Sequence, residues 1–117
     1  MKILVRNQTR DTILADSAEL ADTSAKRRVG LLKHTHLDAG QGLWIVPCES
    51  VHSFFMKFAI DLVYLDRARK VRKVRHCMEP WRVSACLSAH SILELPAGSV
   101  AGTGTQAGDQ IEIVTLS

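Results

Sequence analysis

Val51-His52-Ser53-Phe54-Phe55-Met56-Lys57-Phe58-Ala59-Ile60-Asp61-Leu62-Val63-Tyr64-Leu65-Asp66 carries all three phenylalanines and the one tyrosine of the chain. Two charges, Lys57 and Asp61, are set inside a mostly apolar run. An ionised side chain is costly to bury unless it is paired or held at a wet edge. The run therefore reads as the keel of the fold, the wall of a site, or both. Residues 52–58 and 60–65 are expected as two strands joined through Ala59. On the first, Phe54, Met56 and Phe58 would share one face, with Phe55 and Lys57 on the other. Contact between Lys57 and Asp61 would need a bend at Ala59.

Outward from this keel, residues 2–6 alternate polar and apolar and read as a strand. Turn chemistry over 7–11 leads into a returning strand over 12–15. Asp22 or Thr23 can cap a helix by accepting from the free amides of its first turn. That helix is expected over residues 24–33, with Ala25, Val29 and Leu32 on one face. Gly30 inside it would cost about 1 kcal/mol, which suggests that another backbone packs closely there. Residues 43–46 are apolar on both faces, as in a buried strand, and Pro47 ends them. Further strands are expected over 71–75, 91–95 and 111–116. Residues 97–104 are small and form a short second helix or a loop. The chain is expected to be one domain over 1–117, α+β and β-rich, with a compact barrel-like or strongly twisted mixed sheet.

Of the 117 residues, 46% are hydrophobic and 23% charged, ordinary values for a globular protein. No apolar run approaches the roughly 20 residues of a membrane span, so no membrane insertion is expected. The start, Met1-Lys2-Ile3-Leu4-Val5-Arg6, lacks the apolar core of an export signal, and a cytoplasmic location is expected. The net charge is +3 and uneven: Arg67, Arg69, Lys70, Arg72, Lys73 and Arg75 crowd one hairpin, and no Lys or Arg follows Arg82. Such a cluster can meet an acidic protein partner, or it can simply protect a sheet edge. No aromatic residue interleaves it, so nucleic acid is not an expected partner. The odd cysteine count (Cys48, Cys77, Cys86) argues against a disulfide framework.

An ordered set of short motifs spans most of the chain: Arg28-x-Gly30-Leu31, Gly42-Leu43, Phe54-Phe55-Met56-Lys57, Asp61, Leu65-Asp66, Val71, Leu93-Glu94-Leu95-x-Ala97-Gly98 and Gly108-Asp109. In order and spacing the set resembles the domain of unknown function 192 family of small bacterial and archaeal proteins. The resemblance covers residues 14–114 and implies a small β-rich, barrel-like domain. It brings no settled activity. Members commonly show Trp before the Met-Lys pair and Asn-Thr after it; here Phe55 and Phe58-Ala59 take those places. The chain resembles a variant with Pro47-Cys48, His52 and Pro80-Trp81-Arg82 followed by Cys86.

Lys57 on an apolar strand could act as a base or Schiff-base nucleophile, hold an anion, or keep its ammonium wet while its stem packs. Cys48, His52 and Cys86 offer three chemistries: ligands for zinc, a thiol activated by His52, or a labile disulfide. Buried inert cysteine is the plain alternative. No metal or other cofactor is expected, with zinc on those three residues as the one alternative. His34-x-His36 falls at a helix end, where residues two apart diverge, and reads as structural. Glu94 could be a general acid or base if it faces inward. The glycine-rich residues 97–104 match no nucleotide fingerprint.

Three functions follow in order. The first is a binding module for an anionic small molecule or peptide end, in a groove lined by Trp44, Phe55, Lys57, Asp61, Trp81 and Arg82. Aromatic walls would supply area and the cations orientation. The second is a hydrolase or transferase with catalytic residues drawn from Cys48, His52, Cys86 and Lys57. The third is an accessory protein of a larger assembly, docked through the basic hairpin over 67–75. Catalysis is placed after binding because no complete nucleophile, base and orienting group is visible.

Overall fold

A computed structural model describes residues 1–116. The elements run β1 (Lys2–Asn7), β2 (Thr12–Ala21), α1 (Ser24–Val29), β3 (Gln41–Ile45), β4 (Ser50–His52), β5 (Ile60–Leu65), β6 (Val71–Met78), β7 (Val83–Ala85), β8 (Ser91–Pro96), α2 (Ser99–Thr103) and β9 (Ile111–Leu116). Seven strands form one sheet in the order β6-β5-β8-β3-β2-β1-β9, and β4 pairs with β7 in a second, two-stranded sheet. β2 and β3 run parallel while the remaining pairs are antiparallel, so the large sheet is mixed, as expected. It is not closed. Its edge strands β6 and β9 meet only near one end, where Lys70 bridges Gln110, Val71 N–H donates to the Asp109 carbonyl (2.8 Å) and Ile111 N–H to that of Arg69 (2.9 Å).

Strand alternation sorts the core into two layers. Val63, Leu65, Leu93 and Leu95 join Ile3, Val5 and Val100 on one side of the sheet. Ile60, Leu62, Tyr64 and Ile92 join Leu31, Ile45 and Met56 on the other. By the same alternation Asp61 points to the first layer and Glu94 to the second. Gly42 sets the β3–β8 approach. A Cβ there would lie 2.9 Å from the Glu94 carbonyl oxygen and 2.9 Å from Leu95 Cδ2.

The helix over 24–33 stops four residues early. Thr23 caps it as expected, its hydroxyl accepting from Lys26 N–H at 3.2 Å. Gly30 is not inside it but ends it, with φ 50° and its N–H on the Lys26 carbonyl. Glycine there relieves a backbone demand rather than weakening a helix. The second helix is short, as expected, held between Gly98 and Gly104, both at positive φ.

The strand expected over 52–58 does not form. Its first residue closes β4, and the chain then turns about Ser53, which is fully buried. The Ser53 hydroxyl donates to the Glu79 carbonyl (2.6 Å) and accepts from Arg82 N–H (2.9 Å), while the Ser53 carbonyl accepts from Trp81 N–H (3.1 Å) and Met56 N–H (3.2 Å). A hydroxyl that offers the backbone such bonds competes with a sheet ladder. Phe55 takes φ 66°, and the face expected to be shared by Phe54, Met56 and Phe58 survives only in part: Met56 is buried and Phe58 packs against the same layer, while Phe54 stacks between His52 and Trp81. The second half of the run, β5, is buried at all six positions.

Candidate functional site

The residues expected to line one groove are distributed over three places. Trp44, on β3, packs against the first core layer, with the Arg69 guanidinium 5.2 Å from its ring centroid. Asp61 is wholly buried. Its Oδ1 accepts from Cys77 N–H (2.8 Å), and its Oδ2 from Gly98 N–H (3.1 Å) and Val100 N–H (2.9 Å). It ties β6 to the start of α2 and does not pair with Lys57, which is exposed. Phe55 and Trp81 do meet, edge to face at 4.7 Å, on the outside of the Ser53 turn, and Phe54 bridges them to His52. Arg82 lies beside Glu79 at 3.7 Å. The groove as expected is therefore not formed: the sheet stands between Trp44 and the Phe55–Trp81 pair.

The basic hairpin is largely occupied by the fold itself. Lys73 Nζ donates to the Ala85 carbonyl and Arg75 to that of Val83, both at 2.8 Å, while Arg72 lies 3.6 Å from Asp66. Lys73 and Arg75 thereby cover the outer edge of β7. His34 and His36 lie beyond α1, and His36 Nε2 sits 3.2 Å from Asp38 on an exposed turn.

What the structure builds instead is a cavity of about 190 Å³ between the end of α1, the Pro47 turn, β4 and β8. Arg27, Arg28, Cys48, His52 and Met56 line it, with Glu94. Two of the residues expected from the sequence to carry chemistry, Cys48 and His52, thus share a pocket. Cys86 does not line it; its sulfur lies 3.4 Å from the Ser88 hydroxyl on the following turn. All three cysteines are free thiols. Among the described residues no group of three or more His, Cys, Asp or Glu is placed to hold a metal ion.

Glu94 is the residue that sequence reasoning weighed and left out of the site. It is 4% exposed, and burial pushes its carboxyl from 4.5 up to about 7. No side-chain hydrogen bond or ion pair satisfies it among the described residues, and it faces the cavity. Perturbed acids in clefts cluster at functional sites. A carboxylate in an otherwise apolar strand, Ile92-Leu93-Glu94-Leu95, was the available signal. The pattern alone could not say that both faces of β8 are covered.

Cys48 is tuned away from nucleophilic use. Burial pushes its thiol up, and the nearby Glu94 carboxyl adds to the rise. The thiol donates to the Ser50 carbonyl at 3.1 Å. His52 Nδ1 accepts from Phe54 N–H at 3.2 Å. Since the thiolate is the reactive form, Cys48 is expected to label at least about tenfold more slowly than exposed Cys77 in the native protein near pH 8. Mass-resolved alkylation kinetics measure this, and equal rates for the two would overturn it.

Comparison with known proteins agrees with this fold. The family model DUF192, Uncharacterized ACR, matches residues 5–113. The chain is similar to a UPF0127 protein of Thermococcus sibiricus, 30% identical over 91% of this chain and 71% of the relative. A UPF0127 protein of Pyrococcus abyssi is 28% identical over 96% of this chain and 98% of the relative. A crystal structure from Sinorhizobium meliloti, described as a candidate transcription regulator, superposes with a TM-score of 0.82 at 19% identity, over 95% of this chain and 91% of that one. A protein of unknown function from Novosphingobium aromaticivorans superposes with a TM-score of 0.79 at 22% identity, over 96% and 84%. At such identities the two structures speak for the fold alone.

Proposed function

The chain belongs to the DUF192 family, and from the pocket this fold builds around Glu94 we propose that it is a binding module for one end of a small anionic molecule or peptide. One observation carries the reading: the carboxyl group of Glu94, a residue only 4% exposed, faces a cavity and takes no hydrogen bond or ion pair from the described residues. An unpaired polar group in a protein interior is a standing cost, and a ligand that donates to it removes that cost. Arg27 and Arg28 line the same cavity; Arg27 already donates one guanidinium N–H to the Asp22 carbonyl (3.0 Å), and Arg28 offers its cation to an anionic group on the same ligand. The cavity is smaller than the roughly 300 Å³ at which pockets begin to enclose drug-sized molecules, so it suits one end of a ligand.

Binding is favoured over Cys/His catalysis by the chemistry of the pocket. Its thiol is raised rather than lowered, and its histidine is held by a backbone amide. The accessory-protein reading is weakened by Lys73 and Arg75, which are spent on the β7 carbonyls.

Titration of ¹⁵N-labelled protein with L-aspartate tests the proposal. Amide shifts are expected at residues 27–31, 47–52 and 94. Arg28→Ala is expected to weaken binding about fivefold, the scale of one exposed ionic contact. Shifts confined to other surfaces, or none, would overturn it.

A further inference from the structure

We infer that the ligand end is the free amino terminus of an extended peptide, which adds as a third strand along β4 and places its ammonium group on Glu94. This rests on the binding-module reading and names the occupant.

Among the described residues β4 has only one neighbour, β7, with Ser50 opposite Ala85, Val51 opposite Ser84 and His52 opposite Val83. The flanking backbone bonds fix the phase of this ladder. Cys86 N–H donates to the Glu49 carbonyl and Ser53 N–H to that of Arg82, both at 2.9 Å. In an antiparallel pair, bonded residues alternate with unbonded ones. Val51 is therefore bonded across to Ser84, and the N–H and C=O groups of Ser50 and His52 point away from β7. Both residues line the pocket. Among the described residues, only the Ser50 carbonyl of these four groups has a side-chain partner, the Cys48 thiol that donates to it.

The two edges of this small sheet are treated differently. On β7 the outward carbonyls of Val83 and Ala85 are capped by Arg75 and Lys73. Long cations on an edge strand block further pairing. The β4 edge carries no such cap. An open edge beside a pocket is the arrangement by which an extended peptide is taken up, its backbone supplying affinity and pockets supplying selectivity.

Charge selects the end that enters. Glu94 offers only a carboxyl group, so the complementary group is a cation rich in donors. An α-ammonium has three N–H donors and no long stem, which suits a cavity of about 190 Å³. Arg27 and Arg28 then favour acidic side chains in the first residues that follow the amine.

The test uses the full chain and two synthetic peptides, Gly-Glu-Val-Glu-amide and its N-acetylated form. The free-amine peptide is expected to bind at least about tenfold more tightly than the acetylated one. Glu94→Gln, nearly isosteric, should erase that difference. Bound peptide should slow amide hydrogen exchange at Ser50 and His52 and leave Val51 unchanged. Equal binding of the two peptides overturns recognition of the amine. Unchanged exchange at Ser50 and His52 overturns strand addition. If L-aspartate still shifts the pocket amides in either case, the binding-module reading stands alone; if nothing shifts them, both fall.

Discussion

Replacing Asp61 with alanine is expected to destabilise the protein by about 4 kcal/mol, because it removes a buried charged acceptor and takes the partner from three backbone amides, the buried one of Val100 among them. Its oxygens accept from Cys77, Gly98 and Val100, and Asp61 is completely buried. These bonds join segments far apart in sequence: the irregular end of β6, where Cys77 sits at φ 48°, and the first turn of α2, which lacks a side-chain cap. The carboxylate thus does work that neither element does for itself. For a domain of this size the loss corresponds to a fall in Tm of about 15 °C. Asp61→Asn keeps one acceptor oxygen but turns an N–H₂ toward an amide donor, so about half the loss is expected. Calorimetry or urea unfolding decides it. A loss below about 1 kcal/mol for Asp61→Ala would mean that water or a shifted backbone replaces the carboxylate.

Asp61 also shows what the sequence could and could not convey. A charge inside β5 had to be paired or wet, and that requirement held. Its partners were three backbone amides rather than Lys57, and backbone partners leave no mark in residue identity. The strands β1, β5, β8 and β9 followed from alternation and apolar runs, because local pattern and burial agree there. Residues 52–58 failed for the opposite reason: their conformation is set by Ser53 bonding to a turn nearly thirty residues later. The expected helix failed at Gly30 because a glycine that ends a helix and one tolerated inside it look alike until φ is known. The groove failed because sheet topology puts Trp44 and the Phe55–Trp81 pair on different sides. Cys48 and His52 were legible as neighbours through their short spacing, but the third member of their pocket, Glu94, comes from β8, more than forty residues on.

Glu94→Gln is expected to stabilise the protein at about pH 8 by up to roughly 3 kcal/mol, the free-energy equivalent of moving a carboxyl from 4.5 to about 7. Below the unfolded value both states carry the proton, and Glu94 costs nothing electrostatically. As the pH rises from 4.5 to about 7 the unfolded chain releases its proton first, and the folded state loses ground. Above that window the full cost of a buried, unpaired charge is in place. The wild type should therefore lose stability relative to the glutamine variant across this window and run parallel to it above. Asp109 acts elsewhere. Burial raises its carboxyl, but bonds from Arg10, Asn7 and Gln106 outweigh that and hold it below its usual 3.8, so its contribution is lost only as the pH falls further. Urea unfolding at intervals from about pH 5 to pH 8 isolates Glu94, and identical pH slopes for the two proteins would refute the assignment. The same curve reads out the ligand. A peptide ammonium seated on Glu94 supplies the missing partner, so saturating free-amine peptide should flatten the wild-type slope while the acetylated peptide leaves it steep. That coupling distinguishes a carboxyl waiting for a cation from one that is merely buried.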